Sequence, residues 1–169
     1  MSPVTNGSRS SFGDDESVDD PDRVPTVETV LVPVDGSEDS TRAVEYAVAI
    51  ADRYDASLEA LYILGEDVVR AIEEEQLEDT SIAADNRAYL ETVEAKAAEH
   101  DVPVSTMIAY GFSTQRKTQH PGSVVLDVAE ETNADFLVIP RESQTDEPDV
   151  LEKAAEYTLL YASQPVLSV

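Results

Sequence analysis

From Val27 to Val34 the chain reads Val-Glu-Thr-Val-Leu-Val-Pro-Val, a nearly continuous apolar run rich in β-branched residues. Such a run predicts a strand covered on both faces, as in a parallel sheet. Asp35-Gly36 then predicts a turn. Ser37 suits the N-cap of a helix reaching about Tyr54, with Glu38 and Asp39 at the positive end of its dipole. Ala43, Ala47, Ile50, Ala51 and Tyr54 recur on one helical face, and Arg42, Glu45, Asp52 and Arg53 lie off it.

The same alternation continues to the C-terminus. Leu58–Leu64 predicts a second strand. A helical stretch from about Asp67 breaks near Asp79–Ser81 and resumes to Glu99. Val104–Tyr110 predicts a third strand, and residues 111–120 a polar loop. Pro121-Gly122-Ser123 opens a helix through Thr132, with Val125, Val128 and Ala129 inward. Asp135–Ile139 predicts the fourth strand. A helix over Asp149–Ala162 turns Leu151, Ala154, Ala155, Thr158 and Ala162 to one side, and Pro165–Val169 predicts a short fifth strand. Strands alternating with helices imply an α/β fold: a five-stranded parallel, doubly wound sheet with right-handed crossovers and helices on both faces. The spans divide the chain into an acidic tail, residues 1–24, expected to be disordered, and one domain, residues 25–169.

Charge changes this picture most. The chain has 36 acidic and 11 basic residues, a net charge of -25. The tail, with six carboxylates against Arg9 and Arg23, leaves -21 on the domain. Such a charge argues against nucleic-acid binding, which needs a basic face, and against anionic membranes. Self-repulsion on this scale destabilises a compact chain unless salt screens it. The composition therefore predicts adaptation to a high-salt cytoplasm. There is no Cys, which excludes disulfides and thiolate chemistry. The N-terminus has neither the basic nor the apolar region of a secretory signal, and no apolar run approaches a membrane span; a cytoplasmic protein is expected.

Three segments carry a resemblance. Val-Pro-Val-Asp-Gly-Ser at Val32–Ser37, Asn-Ala-Asp-Phe-Leu-Val-Ile at Asn133–Ile139, and Ala-Glu-Tyr at Ala155–Tyr157 followed by Gln-Pro-Val-Leu-Ser-Val at Gln164–Val169 resemble, in order and spacing, the universal stress protein (UspA-like) family. The resemblance implies a Rossmann-like sheet, close to that of the adenine nucleotide alpha hydrolases, in the order 3-2-1-4-5. It also implies a homodimer joined through the edge of the last strand, here Pro165, Val166, Leu167, Ser168 and Val169.

Members of that family that bind ATP carry Gly-x-x-Gly and, further on, Gly-Ser or Gly-Thr. The resemblance puts Pro140 and Ser143 at the first two glycine positions, and Glu152-Lys153 or Lys153-Ala154 at the last pair. No register restores a glycine. Pro140 has no N–H to offer a phosphate, and Arg141 stands alone against Glu142, Asp146, Glu147 and Asp149. The sequence therefore predicts no bound cofactor and disfavours ATP. What would remain of the site is Asp35 and Gly36 near a nucleoside, with Arg141, Ser143 and Lys153 in place of the phosphate loop.

Other constellations carry less. Arg116, Lys117 and His120 form the domain's basic cluster and could act as a flap over the carboxyl edge of the sheet. Glu73-Glu74-Glu75 reads as a solvated helix face. His100 and His120 lack metal-pair spacing, so no metal is expected. No Ser lies in a nucleophile elbow, so no catalytic residue is assigned. The resemblance implies a non-enzymatic protein with a protective or regulatory role in stress, exerted through protein contacts with a regulatory partner that the sequence does not identify. The alternative is an adenine-nucleotide sensor using Asp35 with Arg116 and Lys117.

Overall fold

The computed structural model describes residues 24–75, 79–111, 119–141 and 150–169. The expected tail lies outside these residues apart from Val24. Ten elements follow in order: β1 (Thr29–Val34), α1 (Glu38–Tyr54), β2 (Ser57–Leu64), α2 (Glu66–Glu73), α3 (Asp79–Glu99), β3 (Val104–Tyr110), α4 (Pro121–Glu131), β4 (Phe136–Ile139), α5 (Val150–Tyr161) and β5 (Val166–Ser168). The five strands form one parallel sheet in the order β3-β2-β1-β4-β5.

Alternation along β1 explains the two layers. Val30, Val32 and Val34 turn to α1 and α3, where they pack with Ala43, Val44, Ala47, Leu90 and Val93. Leu31 turns the other way and meets Leu61, Ile63, Leu137, Ile139 and the buried faces of α4 and α5. All four of these β1 residues are fully buried, as the unbroken apolar run requires. The Asp135 carboxylate accepts from the Glu28 and Thr29 amides at 2.9 and 3.1 Å, which pins the start of β1 to that of β4.

Some expected details move. The buried face of α1 is Ser40, Ala43, Val44, Ala47, Val48 and Ala51. Tyr54, expected inward, is 49% exposed, because α1 ends there and Asp55 takes a left-handed φ of 56°. Asp101 and Asn133 close α3 and α4 in the same left-handed conformation, which Asp and Asn tolerate better than most residues. The Glu73-Glu74-Glu75 run is not a helix face. It ends α2, where carboxylates meet the negative end of the dipole and Glu75 has φ 56°. Among the described residues no helix is long and apolar enough to cross a membrane.

Candidate functional site

β1 and β4 are neighbours, and the winding reverses between them. In such sheets the crevice beyond the carboxyl ends of these strands is the usual ligand position. Asp35 and Gly36 stand at the end of β1. The Asp35 Oδ1 accepts from the Ser37 amide at 2.9 Å, and Ser37 Oγ accepts from the Ser40 amide at 3.1 Å. The expected turn and N-cap are therefore both present. Gly36 has φ 85°, a conformation that favours glycine.

Two tyrosines wall this turn. Tyr62, on β2, donates from its hydroxyl to the Asp35 carbonyl at 2.8 Å. A Cβ on Gly36 would stand 2.9 Å from that hydroxyl oxygen, so a side chain there would push the Tyr62 hydroxyl aside in addition to straining φ. Tyr89, on α3, packs edge-to-face on Tyr62, with ring centroids 6.0 Å apart. Its hydroxyl lies 2.9 Å from Ser40 Oγ and 3.2 Å from Thr41 Oγ1. Burial, then the charge of Asp35, raises the Tyr62 phenol above its ordinary pKa. One turn before Leu90, Asn86 is buried, and its Nδ2 has no hydrogen-bond partner.

The β4 side is built differently. Pro140 is buried. The next amide, that of Arg141, donates to the Val169 carbonyl at 2.7 Å, and the Val169 amide donates to Ile139 at 3.0 Å. The ladder between β4 and β5 thus continues past the assigned strand ends. The Arg141 side chain is exposed, and Lys153 is half-buried in the first turn of α5. Asp35, Gly36, Arg141 and Lys153 therefore share one edge of the sheet. Ser143, Arg116 and Lys117 lie outside the described residues.

His120 is placed, and it serves a helix end. Its Nδ1 accepts from the Gly122 amide at 3.0 Å, and its own backbone N–H donates to Ser123 Oγ at 3.4 Å, closing a capping box on α4; the same hydroxyl donates to the His120 carbonyl at 2.7 Å. Its ring stacks on Tyr157 at 4.7 Å. Gly122 lies so close to Tyr157 that no side chain fits there. His100 stands just beyond α3, with Nδ1 3.6 Å from Asp52 Oδ2. Among the described residues no group of three or more His, Asp or Glu is arranged to hold a metal.

The sequence model of the universal stress protein family matches residues 26–169. This chain belongs to that family. A universal stress protein of Methanocaldococcus jannaschii is 26% identical over 144 residues, covering 83% of this chain and 80% of that protein. Among solved structures, a universal stress protein in complex with cAMP aligns with a TM-score of 0.63 and 22% identity, over 86% of this chain and 98% of its own. The Archaeoglobus fulgidus universal stress protein in complex with dAMP aligns with a TM-score of 0.57 and 16% identity, over 86% and 98%.

Within this universal stress protein fold, Tyr62 and Tyr89 at the site edge, and the buried Asn86 on the same helix as Tyr89, are residues that sequence reading passed over. A signal for them existed. Ile82, Asn86, Tyr89, Leu90, Val93 and Ala97 share helical spacing on α3, so Asn86 occupies a core position with an amide side chain. Tyr62 is the one hydroxyl in the apolar run of β2 after Ser57.

Proposed function

We propose that this chain is a non-enzymatic, homodimeric stress-response protein of the cytoplasm that acts through protein contacts and does not cradle a triphosphate. Membership of the universal stress protein family supports the stress-response role. The observation that carries the finer reading is at the start of the β4–α5 connection. Pro140 has no N–H, and the Arg141 N–H is committed to Val169. Polyphosphate cradles depend on free main-chain donors after a strand, and neither of these first two positions supplies one.

The dimer reading rests on charge as well as on the β5 edge. In a chain with 28% charged residues, Tyr157–Val169 contains no charged side chain. Leu159, Leu160 and Tyr161 are 53%, 72% and 64% exposed on the last turn of α5, four residues before β5. Two molecules of charge -25 associate only where carboxylates are kept out of the contact. Sedimentation of the purified protein, with nucleotide released on denaturation measured by absorbance and mass, tests both parts. A nucleotide-free dimer supports the reading. A monomer, or stoichiometric ATP, contradicts it.

A second reading is an adenine-nucleotide sensor. The ligands in the two structural relatives, cAMP and dAMP, each carry a single phosphate. A ligand of that kind needs the Asp35–Gly36 turn more than it needs a triphosphate loop. A melting shift with AMP or cAMP that is absent in Asp35→Ala would favour it.

A further inference from the structure

β3 is the other edge of the sheet, and it is built as an open one. Among the described strands it pairs with β2 alone. It is seven residues long, Val-Ser-Thr-Met-Ile-Ala-Tyr, against three for β5. It has no charged residue and no Pro, the usual guards of an exposed edge. The Gly111 amide donates to the Leu64 carbonyl, and the Pro103 carbonyl accepts from Leu58. Odd-numbered positions therefore spend their main-chain groups on β2. Thr106, Ile108 and Tyr110 turn theirs to the free side. The outward carbonyl of Tyr110 accepts from Gln119 Nε2 at 2.7 Å, so an amide donor already occupies the upper end of this edge.

The side chains of the same residues face α3. Between Thr106 and Ile108 on β3 and Ala83, Ala84 and Leu90 on α3 runs an open groove of about 840 Å³. Ile108 and Tyr110 are 47% and 46% exposed beside it. Alanines on α3 leave the groove wide. Its charged rim is Arg87, Glu91 and Glu94, a net carboxylate rim on a strongly acidic chain. A crossover helix runs antiparallel to the strands it joins. Ala83 and Ala84 therefore lie toward Ile108, and Glu91 and Glu94 toward Val104.

We propose that the β3 edge and its groove take up an extended, cationic segment of a partner protein by strand addition. Main-chain bonds to Thr106 and Ile108 would hold it. An apolar side chain would enter the groove beside Ile108, and a Lys or Arg two residues along, on the same face, would meet Glu91 and Glu94. A second copy of this chain fits worse. It would bring a second chain of net charge -25 against a groove whose rim is already net acidic, and like charges across an interface are disfavoured. The inference rests on the reading that this domain works through protein contacts, and it names the chemistry of one such contact.

The test is fluorescence anisotropy of the full chain with labelled acetyl-Lys-Thr-Val-Thr-Val-Thr-Lys-amide, in the lowest KCl that keeps the fold intact. The controls are the same peptide with Glu for Lys, and the Lys peptide N-methylated on alternate residues in each phase. The Lys peptide is expected to bind. Affinity is expected to fall at least about tenfold, or 1.4 kcal/mol, for the Glu peptide, for one N-methylated phase, and for the variants Ile108→Lys and Glu91→Lys/Glu94→Lys. Circular dichroism melts confirm that the variants, altered at exposed positions, are folded. No binding of the Lys peptide, equal binding of all peptides, or loss of the dimer in Ile108→Lys would overturn the inference. Nucleotide content and sedimentation of the wild-type protein report on the broader reading separately, so either can fail alone.

Discussion

The Arg141 amide donates to the Val169 carbonyl over 2.7 Å, joining the residue that follows β4 and Pro140 to the last residue of the chain. That bond ties the C-terminus into the sheet where a phosphate-binding member of the fold would keep its amides free. Arg141→Pro should remove the bond and cost about 1–3 kcal/mol, read from urea unfolding. Arg141→Ala keeps the amide and should stay within about 0.5 kcal/mol of wild type. Equal stability of the two variants would mean that the bond contributes nothing.

Leu160 is 72% exposed, so Leu160→Glu should leave the fold intact to within about 0.5 kcal/mol. Placed in the uncharged Tyr157–Val169 surface, the new carboxylate should shift the proposed dimer to monomer in sedimentation velocity at micromolar protein. A dimer unaffected by the change would place the contact elsewhere.

Glu59 faces the α4–α5 side of the sheet on β2. Burial raises its carboxyl above its ordinary value of 4.5, with a side-chain hydrogen bond from Ser105 opposing. The folded state thus holds this proton more tightly than the unfolded chain does. Its stabilising effect is complete below pH 4.5 and is lost as pH rises toward the folded value. Glu59→Gln should therefore raise the melting temperature at pH 7, and the gain should vanish at pH 4. A gain independent of pH would point to packing in place of ionisation.

The -25 charge predicts a strong salt response. Screening shortens from about 10 Å at 0.1 M salt to about 3 Å at 1 M. The melting temperature should rise by at least about 4 °C across that range of KCl, the shift that about 1–2 kcal/mol produces in a domain of this size. A flat profile would contradict adaptation to high salt.

How much of this was legible varied with the physics involved. The β1 run could be read directly, because burial on both faces leaves no polar alternation to confuse it. Ser37 and the Asp35-Gly36 turn were legible because the capping and turn chemistry is local. Val44 and Val48 were passed over because the alanines beside them already satisfied the helical period. The Tyr62 contact with Asp35 joins residues 27 apart, and the Arg141 bond to Val169 joins residues 28 apart. Neither leaves a local trace. The role of His120 was also hidden, since a histidine before Pro-Gly reads as loop until Tyr157 is seen stacked on it. The groove beside β3 needed the sheet order first, because only that order makes Val104–Tyr110 an edge.

Isothermal titration with magnesium-ATP, and with adenosine in parallel, in high KCl measures the phosphate contribution directly. The account predicts that the triphosphate adds nothing: ATP binds no tighter than adenosine, if either binds at all. Micromolar ATP affinity, at least about tenfold (1.4 kcal/mol) tighter than that of adenosine, would contradict it.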